Sequence, residues 1–243
     1  MMDVQLADGV TIVRIDHPPV NAFTLELVRD ATATVRNIDG PIVLTGAGAC
    51  FSAGVDLRAI LDGPPEYTDT FLAAVAEAFL TVFDHPAPVV AAVNGHAIAG
   101  GCVLAMAADV RLMCSGLIGL SEVAVGVPFP VAALEICRYA MGPSVTRAVL
   151  AADNIDVPTA AARGWIDEVV APDDLIGRAV ELASSLGQHP TTAYAAMKQQ
   201  LHRHARAAID AGEELDAKVR AVRKSAETRG TISAFLEIGR AHV

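Results

Sequence analysis

Two glycine-rich segments carry the backbone chemistry of this chain: Phe51-Ser-Ala-Gly-Val-Asp-Leu57 and Asn94-Gly-His-Ala-Ile-Ala-Gly-Gly-Cys-Val103. Each reads as a turn from a strand into a helix, and such a turn leaves N–H groups without intrahelical partners. Two such N–H groups aimed at one point form an oxyanion hole, which holds negative charge as it develops on a carbonyl oxygen. The same glycines also let two turns simply pack closely, and residue types alone leave both readings open. Other chemistries drop out. There is no GxxxxGK[ST], and Gly46-x-Gly48 is followed by no helix-opening glycine three residues on. Ser52 lies in Cys50-Phe-Ser-Ala-Gly54, where a nucleophile elbow needs glycine at Cys50, and no HExxH occurs. Cys50, Cys102, Cys114 and Cys137 have no CxxC spacing, so neither a metal site nor a disulfide framework is expected. They read as small buried hydrophobes in a reducing cytoplasm.

The elements that must position these turns follow from periodicity. Residues 4–15 alternate around Asp8-Gly9 and predict a β-hairpin. Thr24 is placed to cap a helix through Arg36, with Leu25, Val28, Ala31 and Val35 on one face. Pro41–Thr45 and Pro88–Val93 predict buried strands, and a helix is expected over Thr68–Phe83. Gly100-Gly101 opens a helix to Ala108, and strands follow at Asp109–Met113 and Leu117–Leu120. A loop at Ser121–Pro130 leads to helices near 132–140, 143–151 and 158–163, then a strand at Trp165–Val170. Everything after Pro172 reads as helix, and His189-Pro190 marks a strand-free tail. Strand–helix alternation predicts parallel β/α architecture. No internal repeat is visible.

The 243 residues suit one α/β domain with a smaller appendage. A hydrophobic fraction of 53% builds a sizeable core and excludes intrinsic disorder. The formal charge of −10 argues against an electrostatic grip on nucleic acid. The charge is uneven, because residues 188–243 hold nine Lys/Arg against six Asp/Glu. That surplus suits an anion, an acidic neighbouring subunit or a solvated helix face. No apolar run reaches 18 residues, and the start MMDVQLADGVTIVRIDHPP lacks signal-peptide character. The expectation is a cytoplasmic protein without a membrane partner.

Seven stretches, taken together, resemble the enoyl-CoA hydratase/isomerase (crotonase) superfamily. They are Pro19-Val-Asn-Ala-Phe23, Ile42-Val-Leu-Thr-Gly46, Cys50–Leu57, Val89-Val-Ala-Ala-Val-Asn-Gly95, Ala99-Gly-Gly-Cys102 with Ala108-Asp109, Gly119-Leu-Ser-Glu-Val-Ala-Val-Gly126, and Ala160-Ala-Ala-Arg-Gly-Trp-Ile-Asp-Glu-Val169. They run in family order over residues 4–172. The resemblance implies a ClpP/crotonase-like α/β core of repeated ββα turns over residues 1–187. It also implies a helical oligomerisation segment over 188–243 that builds a homotrimer or hexamer, in which the apolar positions Ala193, Met197, Leu201, Phe235, Leu236 and Ile238 are expected to need a partner surface. Substrates are implied to be acyl-CoA thioesters, with CoA as part of the substrate and no separate cofactor. The oxyanion donors fall on the backbone N–H groups of Val55 and Gly100. Ser52, Asp56 and Leu57 fall where the family's backbone meets the adenine end of CoA.

One departure bears on the reaction. Hydratases of this family divide acid and base roles between two glutamates. Here the first position is Val103, which transfers no proton, while the second is Glu122. The loop after Gly126 also lacks the hydratase-like Pro-Gly-x-Gly-Gly run. Both departures resemble the family's Δ3,Δ2-enoyl-CoA isomerases, in which one carboxylate performs a 1,3-proton shift. Val103 and Gly126 are expected in the pocket, and burial is expected to raise the Glu122 pKa. Two alternatives stand beside this: a hydratase whose second acid is Glu135, and a non-catalytic acyl-CoA binding protein. His96 is read as packed or hydrogen-bonded and Trp165 as core. Lys198, Arg203 and Arg206 are candidates for CoA phosphates, with solvent exposure as their default.

Overall fold

The computed structural model describes residues 1–241; the side chains of Pro65 and of residues 238–241, Ile238 among them, lie outside the description. The chain opens with β1 (Met2–Ala7) antiparallel to β2 (Val10–Ile15). The turn between them places Asp8 at φ 49° and Gly9 at φ 76°, the pair of positive φ angles that a tight hairpin of this twist requires. Helix α1 (Leu25–Arg36) starts where Thr24 Oγ1 accepts the Leu27 N–H at 3.2 Å. Its buried face is turned slightly from expectation, with Leu27 and Thr32 inside and Leu25 and Ala31 half-buried.

Three strand–strand–helix units follow. They are β3 (Ile42–Gly46), β4 (Cys50–Ser52) and α2 (Leu57–Asp62) with α3 (Pro65–Phe83); β5 (Val89–Val93), β6 (His96–Ile98) and α4 (Gly100–Met106); and β7 (Val110–Met113), β8 (Leu117–Gly119) and, after a 3-10 turn at Glu122–Val125, α5 (Val131–Met141). The first strand of each unit joins the sheet ordered β1-β2-β3-β5-β7-β10, and the second joins the sheet β4-β6-β8-β9. Here β9 is Asn154–Asp156 and β10 is Glu168–Val169. Helices α6 (Val145–Ala151) and α7 (Val157–Ala162) flank β9.

The sequence does not predict the strands at residues 50–52, 96–98 and 154–156. Three residues are too few to show a period-2 pattern. The expected strand Trp165–Val170 shrinks to two residues. At its start the buried Arg111 guanidinium donates from Nε to Trp165 O and pairs with Asp167 at 2.8 Å, so a side chain, not a strand partner, satisfies the Trp165 carbonyl.

The longer sheet is apolar on both faces, as parallel sheets between helices are. Ile42, Leu44, Val89, Ala91 and Val93 face the main core, with Phe51, Phe71, Phe83 and Trp165. Val43, Val90, Ala92 and Leu112 face α8 (Leu175–Gly187) through Leu175, Ala179, Val180 and Ala183. Helix α9 (Thr191–Asp210) packs along α5. Helix α10 (Glu213–Arg223) then leads into α11 (Ala226–Ala241), which folds back over the 3-10 turn and α2. Ile232 is buried there with Val125 and Val127, and Leu236 packs on them. Part of the tail therefore finds its partner surface within its own chain. No helix among the described residues is long and apolar enough to cross a membrane.

Candidate active site

The two glycine-rich turns meet. A Cβ on Gly54, which sits at φ 79°, would lie 2.7 Å from Gly100 N and 2.9 Å from Ile98 O. A Cβ on Gly101 would lie 2.1 Å from Ser52 O. Close packing and an oxyanion site are therefore compatible, since the close approach brings the two turns together. In the bridge between Phe23 and Val55, the neighbours of Val55 make the bonds: Phe23 N donates to Gly54 O at 2.7 Å and Asp56 N to Phe23 O at 2.9 Å. The N–H of Val55 consequently points to the other side. The Gly100 N–H opens α4, and neither group donates to a protein acceptor among the described residues. Ala99 caps α4 at φ 53° and ψ −124°, a conformation costing a non-glycine residue about 1–3 kcal/mol. That strain sits at the residue that aims the Gly100 N–H.

The Pro19–Phe23 stretch holds the first turn in place. Buried Asn21 donates from Nδ2 to Ala47 O and Cys50 O and accepts the His17 N–H on Oδ1. Ser52 Oγ donates to Asn21 O and accepts the Gly54 N–H, and the serine is wholly buried. Asp56 caps α2 by accepting the Arg58 N–H at 2.9 Å. Of the three residues expected beside CoA, Leu57 alone reaches the cavity wall, while Ser52 and Asp56 shape the turn.

Val55, Gly100, Val103 and Glu122 line one cavity of about 140 Å³. Apart from Ser121 and Arg223 its remaining wall is apolar, with Ile60 from α2, Leu72, Val75 and Phe79 from α3, and Val125, Val127, Phe129 and Ala133 from the segment leading into α5. Glu122 is its sole carboxylate among the described residues. It arrives there because Ala99 N donates to Gly119 O at 2.8 Å, fixing the end of β8 beside the oxyanion turn. Fully buried Leu120 then carries the chain inward. Gly126, at φ 71°, closes the 3-10 turn and its carbonyl accepts Thr228 Oγ1; contrary to expectation it is not part of the wall.

Glu122 is 9% exposed, and its Oε2 has no hydrogen-bond partner among the described residues. Burial pushes its pKa from 4.5 up to about 8, opposed by its own backbone N–H and by the Arg223 charge. Cys102 and Cys137 lie near enough to feel it; burial raises both thiols and the Glu122 charge adds to the effect. Glu135, the candidate second acid, lies outside the cavity wall and pairs with Arg138 at 3.1 Å.

Other candidates fall elsewhere. His96 Nδ1 accepts the Leu117 N–H, and Trp165 is fully buried with Nε1 donating to Ser144 Oγ at 2.7 Å. Lys198 is not a solvent-facing phosphate ligand: it is buried and paired with Asp109 at 2.8 Å. Arg206 pairs with Asp84 and Asp210, and Arg203 is exposed. Sequence reasoning missed Arg223 and Phe235, which reach the cavity from the tail, and the α3 residues. The α3 residues follow an i, i+3, i+7 spacing that signals a buried face without naming what it faces. Arg223 carries no signal among nine tail cations.

Comparison with known proteins identifies the family and the fold. The family described as enoyl-CoA hydratase/isomerase matches residues 5–242. The probable enoyl-CoA hydratase echA17 of Mycolicibacterium paratuberculosis is 31% identical, over 93% of this chain and 87% of that protein. The mitochondrial enoyl-CoA delta isomerase 1 of Mus musculus is 29% identical, over 70% of this chain and 63% of that protein. Among solved structures, the human mitochondrial Δ3-Δ2-enoyl-CoA isomerase superposes with a TM-score of 0.93 at 22% identity, covering 99% of this chain and 98% of that one. At that identity the likeness speaks for the fold. The probable enoyl-CoA hydratase EchA3 of Mycobacterium tuberculosis has a TM-score of 0.83 and 31% identity, over 89% and 95%. The chain is an α/β protein of the crotonase fold and belongs to the enoyl-CoA hydratase/isomerase family of enzymes.

Proposed function

We propose that this enzyme is an enoyl-CoA isomerase that moves a double bond from C3 to C2 of an acyl-CoA thioester. The observation that carries the reading is Glu122 as the single carboxylate of a cavity whose other catalytic position is Val103. Ionised Glu122 takes a proton from C2. The electron pair moves onto the thioester oxygen, where the Val55 and Gly100 N–H groups hold the charge. The glutamic acid then returns a proton at C4, leaving the double bond between C2 and C3. The N-terminal end of α4 adds positive potential at that oxygen. Water is not a reactant, so a mostly apolar wall serves the reaction. The test is an assay with 3-enoyl-CoA and 2-enoyl-CoA side by side, following double-bond migration and water addition separately. Migration without hydration supports the proposal, whereas hydration of 2-enoyl-CoA at a comparable rate overturns it.

Val103 faces the same cavity as Glu122, so Val103→Glu should raise hydration of 2-enoyl-CoA above wild type. The gain should be small, because water needs positioning groups that the wall does not supply. The variant should also melt earlier, since two carboxylates in one dry cavity oppose each other's ionisation. Incorporation of labelled water into the product is the check.

The assembly proposed is a homotrimer or a pair of trimers, located in the cytoplasm. Ala193, Met197 and Leu201 form an exposed face on α9, with Met197 and Leu201 more than half exposed. Sedimentation at micromolar concentration should show a species three or six times the 25.2 kDa chain mass. A stable monomer would remove this proposal.

A further inference from the structure

Arg223 is a buried cation that the proton shift does not use. It comes from the last turn of α10, is 8% exposed, and lines the same cavity as Glu122. Its Nε donates to Pro128 O at 2.8 Å, which fixes the plane of the guanidinium. Among the described residues it forms no salt bridge, and its two terminal nitrogens make no hydrogen bond to the protein. Neither terminal nitrogen is sealed away from contact, and the side chain lines the cavity. The charged neighbours are few. Glu122 shares the cavity but leaves its Oε2 unpaired instead of meeting the guanidinium. Asp216, on the same helix, already accepts the Val131 N–H at 2.8 Å.

An unpaired cation inside an apolar wall is costly unless something completes it. A plain hydrocarbon chain does not complete it. Two nitrogens in a fixed plane match the two oxygens of a carboxylate, the strongest neutralising pair available to arginine. We infer that Arg223 is a specificity subsite, and that the preferred substrates are acyl-CoA thioesters whose acyl chain carries a carboxylate. This rests on the reading that the cavity takes the acyl group, and it names the class of acyl group.

The cavity's charge supports the assignment. A carboxyl with a pKa of about 8 is mostly protonated at neutral pH, so Glu122 does not neutralise Arg223 there. An anionic chain end restores neutrality. Burial also lowers the Arg223 pKa to about 10, against the opposing charges of Glu122 and Asp216, far enough above neutral that the guanidinium stays charged.

The test is binding of unreactive saturated pairs, so that it does not depend on isomerisation. Adipoyl-CoA is set against hexanoyl-CoA, and suberoyl-CoA against octanoyl-CoA, by calorimetry with the full-length protein. The carboxylate-ended member of at least one pair should bind more tightly, by about 10–100-fold, the size of one charged hydrogen-bonded contact. Arg223→Met should erase that ratio while binding hexanoyl-CoA at least as well as wild type. Arg223→Lys should keep part of it. A wild-type protein that binds the methyl-ended member of both pairs equally or more tightly overturns the inference. So does a preference that survives in a folded Arg223→Met variant. A carboxylate preference in binding with no double-bond migration in either series supports the subsite and overturns the isomerase proposal alone.

Discussion

Glu122→Gln should abolish double-bond migration while acyl-CoA binding stays nearly unchanged. The amide keeps the side chain's volume and one accepting oxygen, but it takes no proton from C2. Loss of a general base costs about 10²–10⁴-fold, and no second carboxylate lines the cavity to substitute for it. The wild-type pH profile checks the same group. Because burial lifts the carboxyl from 4.5 to about 8, the ionised base accumulates only near that pH. Activity should therefore rise through about pH 8 and then level off. The variant should also be the more stable protein above pH 5. A carboxyl whose folded pKa is raised contributes fully to stability below its unfolded pKa, and that contribution fades as pH climbs towards the folded value. Gln carries no such loss. Its Tm should exceed the wild-type value by at least about 3 °C at pH 8, and the two should coincide near pH 4. A migration rate within about threefold of wild type, far short of a general base's contribution, would remove Glu122 from the mechanism. Equal melting at pH 8 would show that its carboxyl is not desolvated.

Gly54→Ala should lower kcat by about 10²–10³, the usual value of one oxyanion donor. The added methyl would stand 2.7 Å from Gly100 N and 2.9 Å from Ile98 O, so the start of α4 must move. The position also has φ 79°, which costs an alanine about 1–2 kcal/mol by itself. Tm should fall by several degrees as a result. This loss differs in kind from that of Glu122→Gln. The base is intact, so the pH profile should keep its midpoint near 8 while its height drops. An alanine variant with wild-type kcat would mean that the two turns do not jointly hold the oxyanion.

Much of the site was legible in the sequence because it is built from local rules. Asp8-Gly9 could only be a tight hairpin, and Thr24 capped α1 as its type and place demand. The glycine pairs marked backbone approaches that no Cβ allows, and the structure places Gly54 against Gly100. Glu122 and Val103 stood out through resemblance to a family pattern, and both reach one cavity. The short strands were not legible. β4, β6 and β9 are stabilised by neighbours far along the chain, which no window of three residues reports.

Hydrophobic period and glycine placement act over a few positions and yield the parallel α/β core and the two strand-to-helix turns from the residues alone; resemblance to a family pattern, not residue type, singles out Glu122. Tertiary structure alone decided what surrounds that carboxylate. Its pKa comes from desolvation by side chains on α3, on the segment leading into α5 and on the tail. The tail folding back brought Arg223 into the cavity from 101 positions away, held by Pro128 O, while Lys198, equally basic in sequence, went to Asp109 instead. Burial and pairing depend on distances between remote segments, and a cation's type says nothing about which carbonyl or carboxylate will stand opposite it.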